Sequence, residues 1–159
     1  MYDIGVYALN GSLMMMDEMP IETSAVYSTP TGDPRFTEVE GGIDWRLRFP
    51  SGISAQGSSS YTYGYITRQR FFGSDGAVTL EPASTYYDNN LTLNRNGQPE
   101  AAIQTGNPAS QFAAQVDAFS RAARDNVPHR TPGEMGLRDI RIIEAMYRSA
   151  DNGGIPVKL

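Results

Sequence analysis

Between residues 43 and 49 the chain alternates strictly. Ile43, Trp45, Leu47 and Phe49 are apolar, and the intervening Asp44, Arg46 and Arg48 are charged. Successive side chains of a strand point to opposite faces, so this spacing predicts a strand with one buried and one solvated face. Any fold for this chain must give one side of a sheet to a core and leave the other side polar.

The surrounding middle, about Ile21 to Ile103, reads as further strands. Thr23 to Ser28 is a β-branched run that ends at the turn residues Thr29 to Pro34. Pro50-Ser51-Gly52 is a turn, and Ile53 to Tyr63 follows it as a strand. Gly57, Ser58, Ser59 and Ser60 in that strand are all small, which marks a surface that something approaches closely. Arg68 to Phe72 and Ala77 to Leu80 flank Gly73-Ser74-Asp75-Gly76, a hairpin turn with Asp-Gly chemistry. Leu91 to Asn94 precedes a second turn at Asn96-Gly97. Most of these connections are too short for a helix, so the strands are expected to be mainly antiparallel.

Helices are predicted at both ends. Over about Tyr2 to Asp17, Val6, Leu9, Leu13 and Met16 form one apolar stripe, and Pro20 stops the helix. The run Met14-Met15-Met16 is read as packing filler. Phe112, Val116, Phe119 and Ala123 give an amphipathic helix to about Asn126. Thr131-Pro132-Gly133-Glu134 reads as the cap of a last helix, with Leu137, Ile140, Ile143 and Tyr147 as its apolar stripe. Asn152-Gly153-Gly154 terminates it. Helices segregated to the ends of an antiparallel sheet imply an α+β, two-layer domain with the helices on one face.

Composition narrows the function classes. A chain of 159 residues suffices for one domain with a real core. A net charge of -5 with scattered Lys and Arg argues against nucleic acid or an anionic membrane as partner. No stretch reaches the roughly 18 apolar residues of a membrane span, and no signal peptide is legible, so the expectation is a soluble protein, cytoplasmic or periplasmic. The absence of Cys excludes disulfides and thiolate metal sites, and a single His, His129, makes no metal site. His129 is expected to be exposed and idle. Tyr61, Tyr63 and Tyr65 are read as an aromatic platform on a strand, serving sheet packing or an interface.

Asp3 and Tyr7 stand four residues apart, a spacing that stacks them on one face of a helix. A carboxylate beside a phenol is a proton-transfer pair suited to an alcohol or carbonyl substrate. Asn10 falls on the same face, as a substrate contact or as a satisfied polar group at a domain junction. No G-x-G-x-x-G or P-loop accompanies them.

Four stretches together resemble the C-terminal domain of the Gfo/Idh/MocA oxidoreductases, and within them the glucose–fructose oxidoreductase branch. They are Asp3 to Gly11, then Glu38-Val39-Glu40 with Trp45 to Phe49 and Ser51-Gly52. The third is Ser59-Ser60-Tyr61 with Pro82-Ala83 and Tyr86-Tyr87. The fourth is Pro132-Gly133-Glu134 with Gly136 to Asp139, Ile143 and Ala145 to Tyr147. The resemblance implies that residues 1–159 form a single substrate-binding and oligomerisation domain. Its sheet is mostly antiparallel, with an open face that makes a homodimer or homotetramer. It also implies NADP or NAD held mainly by an N-terminal Rossmann domain outside this chain, with no metal, and a sugar or polyol substrate. The family's Asp-x-x-x-His/Tyr motif maps onto Asp3 and Tyr7. Tyr7 would exchange the proton, and Asp3 would orient the substrate hydroxyl or tune Tyr7. A free phenol titrates near about 10, and the family's Lys ammonium, in the other domain, is the natural means of lowering such a group. The alternative is a non-catalytic binding or structural protein that keeps this fold without a nucleotide domain.

Overall fold

The computed structural model describes residues 1–107 and 109–159. In chain order the elements are α1 (Gly5–Met16), β1 (Glu22–Tyr27), β2 (Gly42–Arg48), β3 (Ser54–Ser60), β4 (Gln69–Gly73), β5 (Gly76–Leu80), β6 (Leu91–Arg95), β7 (Ala101–Ile103), α2 (Ser110–Asp125), α3 (Gly133–Asp151) and β8 (Val157–Lys158). They fall into two compact units, one of Met1–Tyr63 with Gly133–Leu159 and one of Gly64–Pro132. The chain is α+β, and its strands form two four-stranded antiparallel sheets.

The first unit carries the sheet β3-β2-β1-β8. Strand β2 is its spine, and the alternation works as its spacing predicts. Ile43, Trp45 and Leu47 are buried, while Arg46 and Arg48 are exposed. Helices α1 and α3 supply the second layer, placing Leu9, Leu13, Ile142, Ile143 and Met146 in one core with Ile43, Trp45, Leu47 and Phe49. Each such fully buried side chain contributes about 1.5–3 kcal/mol of transfer free energy. On the opposite face Glu22 lies across from Arg48, and their side chains pair at 3.1 Å.

Within the run of small residues in β3, Gly57 has a clear reason to be small. It stands directly opposite Trp45, and a Cβ added there would lie 2.4 Å from Trp45 Cζ2. The close neighbour is therefore the Trp45 indole of the same sheet. A side chain at position 57 would displace a rigid ring from the core.

Helix α3 buries the C-terminal half of the expected stripe, Ile143 with Tyr147 packed on the core, but not its N-terminal half. Leu137 is 51% exposed and Ile140 38% exposed, whereas Asp139, Ile142, Met146 and Ser149 are buried beside Ile143. Two polar residues are tolerated there because both are bonded. Ser149 Oγ accepts from Ala25 N–H at 3.0 Å and donates to the Ile155 carbonyl at 2.7 Å. Strand β8 pairs only with Glu22 and Thr23, so the serine stands where a longer edge strand would satisfy Ala25. Of the methionine run, Met16 packs on the core, while Met14 and Met15 are exposed.

The second unit carries β4-β5-β6-β7 and α2. The β4–β5 hairpin closes with Gly73 opposite Gly76, as the Asp-Gly signal predicts. Gly76 has φ +152°, and a Cβ there would sit 1.9 Å from the Asn94 carbonyl oxygen. Helix α2 forms as expected, but Phe112, Val116 and Phe119 remain more than half exposed. Phe112 meets the Tyr86 ring at 5.5 Å, and Phe119 meets the edge of His129 at 5.5 Å. His129 is thus only partly exposed, correcting the expectation that it is exposed, and it packs against Phe119.

Candidate active site

Helix α1 begins at Gly5, so Asp3 lies in the turn before the helix and Tyr7 in its first turn. The Val6 N–H donates to the Met1 carbonyl at 3.1 Å and ties that turn down. Tyr7 points outward and is 58% exposed. Its phenol is not locked in the apolar interior. Asp3 is also exposed, and its carboxylate accepts a hydrogen bond from the Tyr61 hydroxyl at 2.8 Å. Asn10, one turn beyond Tyr7, donates from Nδ2 to the buried carboxylate of Asp139 at 2.7 Å. The same carboxylate is held by Arg138, so Asn10 serves to satisfy a buried charge and joins α1 to α3.

An open groove of about 1020 Å³ adjoins this helix start within the first unit. Tyr2, Tyr27, Tyr61 and Tyr147 line it together with Asp3, Glu40 and Asp151. Three of its phenols, those of Tyr27, Tyr61 and Tyr147, donate to its carboxylates. The Tyr27 hydroxyl donates to Asp151 at 2.7 Å, and the Tyr147 hydroxyl donates to Glu40. Burial, then the bond to Asp151, pushes the Tyr27 phenol up to about 12. Burial, then the bond to Glu40, pushes Tyr147 up as well.

These shifts set a pH window. The folded state favours the neutral phenols, whereas unfolded tyrosines ionise near about 10. Stability from this pairing is therefore complete below about pH 10 and is lost as the pH rises towards about 12. Urea midpoints measured across that range should fall, and should fall less in the Tyr27→Phe, Tyr147→Phe double variant. An identical fall in that variant would assign the alkaline sensitivity elsewhere.

Tyr61 was legible as one of three spaced tyrosines and as part of the Ser59-Ser60-Tyr61 stretch, but not as a partner of Asp3. Strand β3 ends at Ser60, so Tyr61, Tyr63 and Tyr65 lie beyond it and make no strand platform. Tyr63 bonds Ser58 at 2.8 Å, while Tyr61 turns to Asp3. The missed partnerships, Tyr61 with Asp3 and Tyr147 with Glu40, span 58 and 107 residues. No local spacing announces contacts of that range. Among the described residues no group of three or more His, Cys, Asp or Glu could hold a metal ion, and no helix is long and apolar enough to cross a membrane.

Comparison with known proteins adds the context. The aldose-aldose oxidoreductase of Caulobacter crescentus, solved with glycerol, superposes with a TM-score of 0.88 at 38% identity, covering 99% of this chain and 46% of that one. D-xylose 1-dehydrogenase (NADP(+)) 2 of Haloferax volcanii is 27% identical over 154 residues, 95% of this chain and 45% of the relative. UDP-N-acetylglucosamine 3-dehydrogenase of Acidithiobacillus ferrooxidans shares the fold, with a TM-score of 0.78 at 16% identity over 94% of this chain and 46% of that one. The chain spans about half the length of these relatives. The family model for the oxidoreductase family C-terminal alpha/beta domain matches residues 1–159, and the chain therefore belongs to the Gfo/Idh/MocA oxidoreductases.

Proposed function

We propose that residues 1–159 act as the single substrate-binding and oligomerisation domain of an NADP- or NAD-dependent sugar or polyol oxidoreductase, with Tyr7 and Asp3 in its active site. The observation that carries this reading is the placement of Asp3 and Tyr7. Both are exposed at the start of α1, in a chain 38% identical to an aldose-aldose oxidoreductase. The relatives' names, D-xylose 1-dehydrogenase (NADP(+)) among them, support an aldose and a nicotinamide.

This chain contains no glycine-rich turn of the kind that cradles a pyrophosphate at a helix N-terminus, so nicotinamide binding falls to the half that it does not cover. The nicotinamide, when bound, supplies the hydride acceptor or donor. The residues here hold the substrate and move its proton. Tyr7, as the phenolate, takes the hydroxyl proton and becomes the neutral phenol as a sugar alcohol is oxidised, and it returns that proton in the reverse reaction. Asn10 fixes α1 to α3 through Asp139 and so holds Tyr7 in place, and it also stands as a substrate contact in this reading. The complete gene product, offered aldoses, polyols and inositols with each nicotinamide, should turn over at least one. No turnover with any of them would end this reading.

The outer face of β1, β2 and β3 supports the oligomer. Arg46, Arg48, Gln56 and Ser58 are exposed there, and α1 and α3 occupy the other face. A flat polar face of this kind suits sheet-on-sheet packing. Light scattering should report a homodimer or homotetramer, and Arg46→Glu should shift it towards monomer. A monomer at all concentrations contradicts this assignment.

A further inference from the structure

Asp3 has two roles open to it in the proposed site, to tune Tyr7 or to bind substrate. The geometry favours the second and brings in a residue that has no part in the reading so far. Tyr61 follows the last residue of β3 and is pinned there by its own backbone. Its N–H donates to the Gly41 carbonyl at 2.9 Å, and the neighbouring Ser60 Oγ donates to the same oxygen at 2.8 Å. The ring is thus carried by the sheet. Its hydroxyl reaches Asp3 Oδ2 at 2.8 Å, a charge-assisted bond that restrains an exposed carboxylate. Asp3 and Tyr61 both line the 1020 Å³ groove, whose lining does not include Tyr7.

We infer that Tyr61 is a positioning residue: it occupies Oδ2 of Asp3 and so presents Oδ1 to a hydroxyl of a sugar or polyol in the groove. The inference rests on the oxidoreductase reading and divides its labour. Asp3, held by Tyr61, binds and orients, and Tyr7 moves the proton. A carboxylate fixed in one orientation loses less freedom when it meets its substrate, which lowers KM more than it raises kcat. The hydrogen bond to Asp3, then burial, raises the Tyr61 phenol above its ordinary range, as expected of a donor committed to a carboxylate.

The test uses the complete gene product and the best sugar found for it. Tyr61→Phe keeps the ring and removes the donor. It should raise KM about 10-fold, the worth of one hydrogen bond to a charged group, and change kcat less than about 3-fold. Asp3→Asn should raise KM at least as much. The double variant should be no worse than Asp3→Asn alone, because Tyr61 acts only through Asp3. Tyr7→Phe should show the opposite pattern, with kcat falling. A second readout needs no turnover. The Tyr61 phenol, followed by NMR of ring-labelled tyrosine, should titrate nearer to about 10 in Asp3→Asn than in the parent. Additive effects of the two substitutions, or a Tyr61 titration indifferent to Asp3→Asn, overturn the inference and leave Tyr7 untouched. Absence of turnover in the parent protein sinks the oxidoreductase reading and this inference with it.

Discussion

Replacing Tyr7 by Phe should lower kcat of the complete gene product by roughly 10²–10⁴-fold, with KM little changed. That is about 3–5 kcal/mol of transition-state stabilisation. Phe preserves the ring and the helix and removes only the oxygen. Tyr7 is more than half exposed, so the substitution disturbs no core packing, and the loss reports chemistry rather than folding. A loss confined to the transition state lowers kcat and kcat/KM together. An unchanged rate would remove Tyr7 from proton transfer and turn attention to the phenols that line the groove.

Trp45 should be the most sensitive position for stability. Its indole is 4% exposed and fills the space over Gly57 on β3. Trp45→Ala should cost about 3–5 kcal/mol, much of the margin of a typical domain. Gly57→Ala should cost about 1–3 kcal/mol in the parent protein, because the added methyl drives a rigid ring out of place. In the Trp45→Ala background the same methyl enters vacated space and should cost almost nothing. Trp45→Phe should be milder than Trp45→Ala, since it keeps an aromatic ring and removes a buried Nε1 that has no hydrogen-bond partner. Denaturant titration of the four proteins measures the coupling directly. Independent, additive losses would show that Gly57 is small for another reason.

Those two residues also mark what a sequence reading can reach here. The β2 alternation names the buried face from four residues and needs nothing else, because the period of a strand is a local property. The small residues of β3 announce that something lies close, but not that it is Trp45. That pairing is a matter of register, which only the folded sheet states. Helix α3 shows the opposite failure. An apolar stripe through Leu137 and Ile140 is the natural choice on hydropathy, yet the buried face carries Asp139 and Ser149. Arg138 and the Ile155 carbonyl are near partners, but Asn10 and Ala25 lie 129 and 124 residues away, so no window on the helix could reveal the full set of bonds that satisfies these polar groups.

The candidate site divides the same way. Asp3, Tyr7 and Asn10 were legible as a short spacing, and the resemblance to the family supplied their chemistry. The helix starts later than that spacing required, because Asp3 takes part in the turn capped by Val6 and Met1. The partnership of Tyr61 with Asp3 escaped notice because the hydroxyl meets that carboxylate only after β3 is laid beside β2 and delivers the ring past the end of the strand. The methionine run, read as filler, packs only at Met16, since the helix turns Met14 and Met15 to the surface.

If this chain holds a sugar or polyol while the substrate's proton passes through Tyr7, hydride transfer from a labelled sugar must depend on the Tyr7 hydroxyl. The complete gene product is mixed with an aldose deuterated at the carbon to be oxidised and with oxidised nicotinamide, and the nicotinamide is then examined by mass spectrometry. Deuterium should appear on the nicotinamide with the parent protein, and the rate of labelling should be lower by roughly 10²–10⁴-fold with Tyr7→Phe. Labelling at equal rates in the two proteins would contradict that dependence.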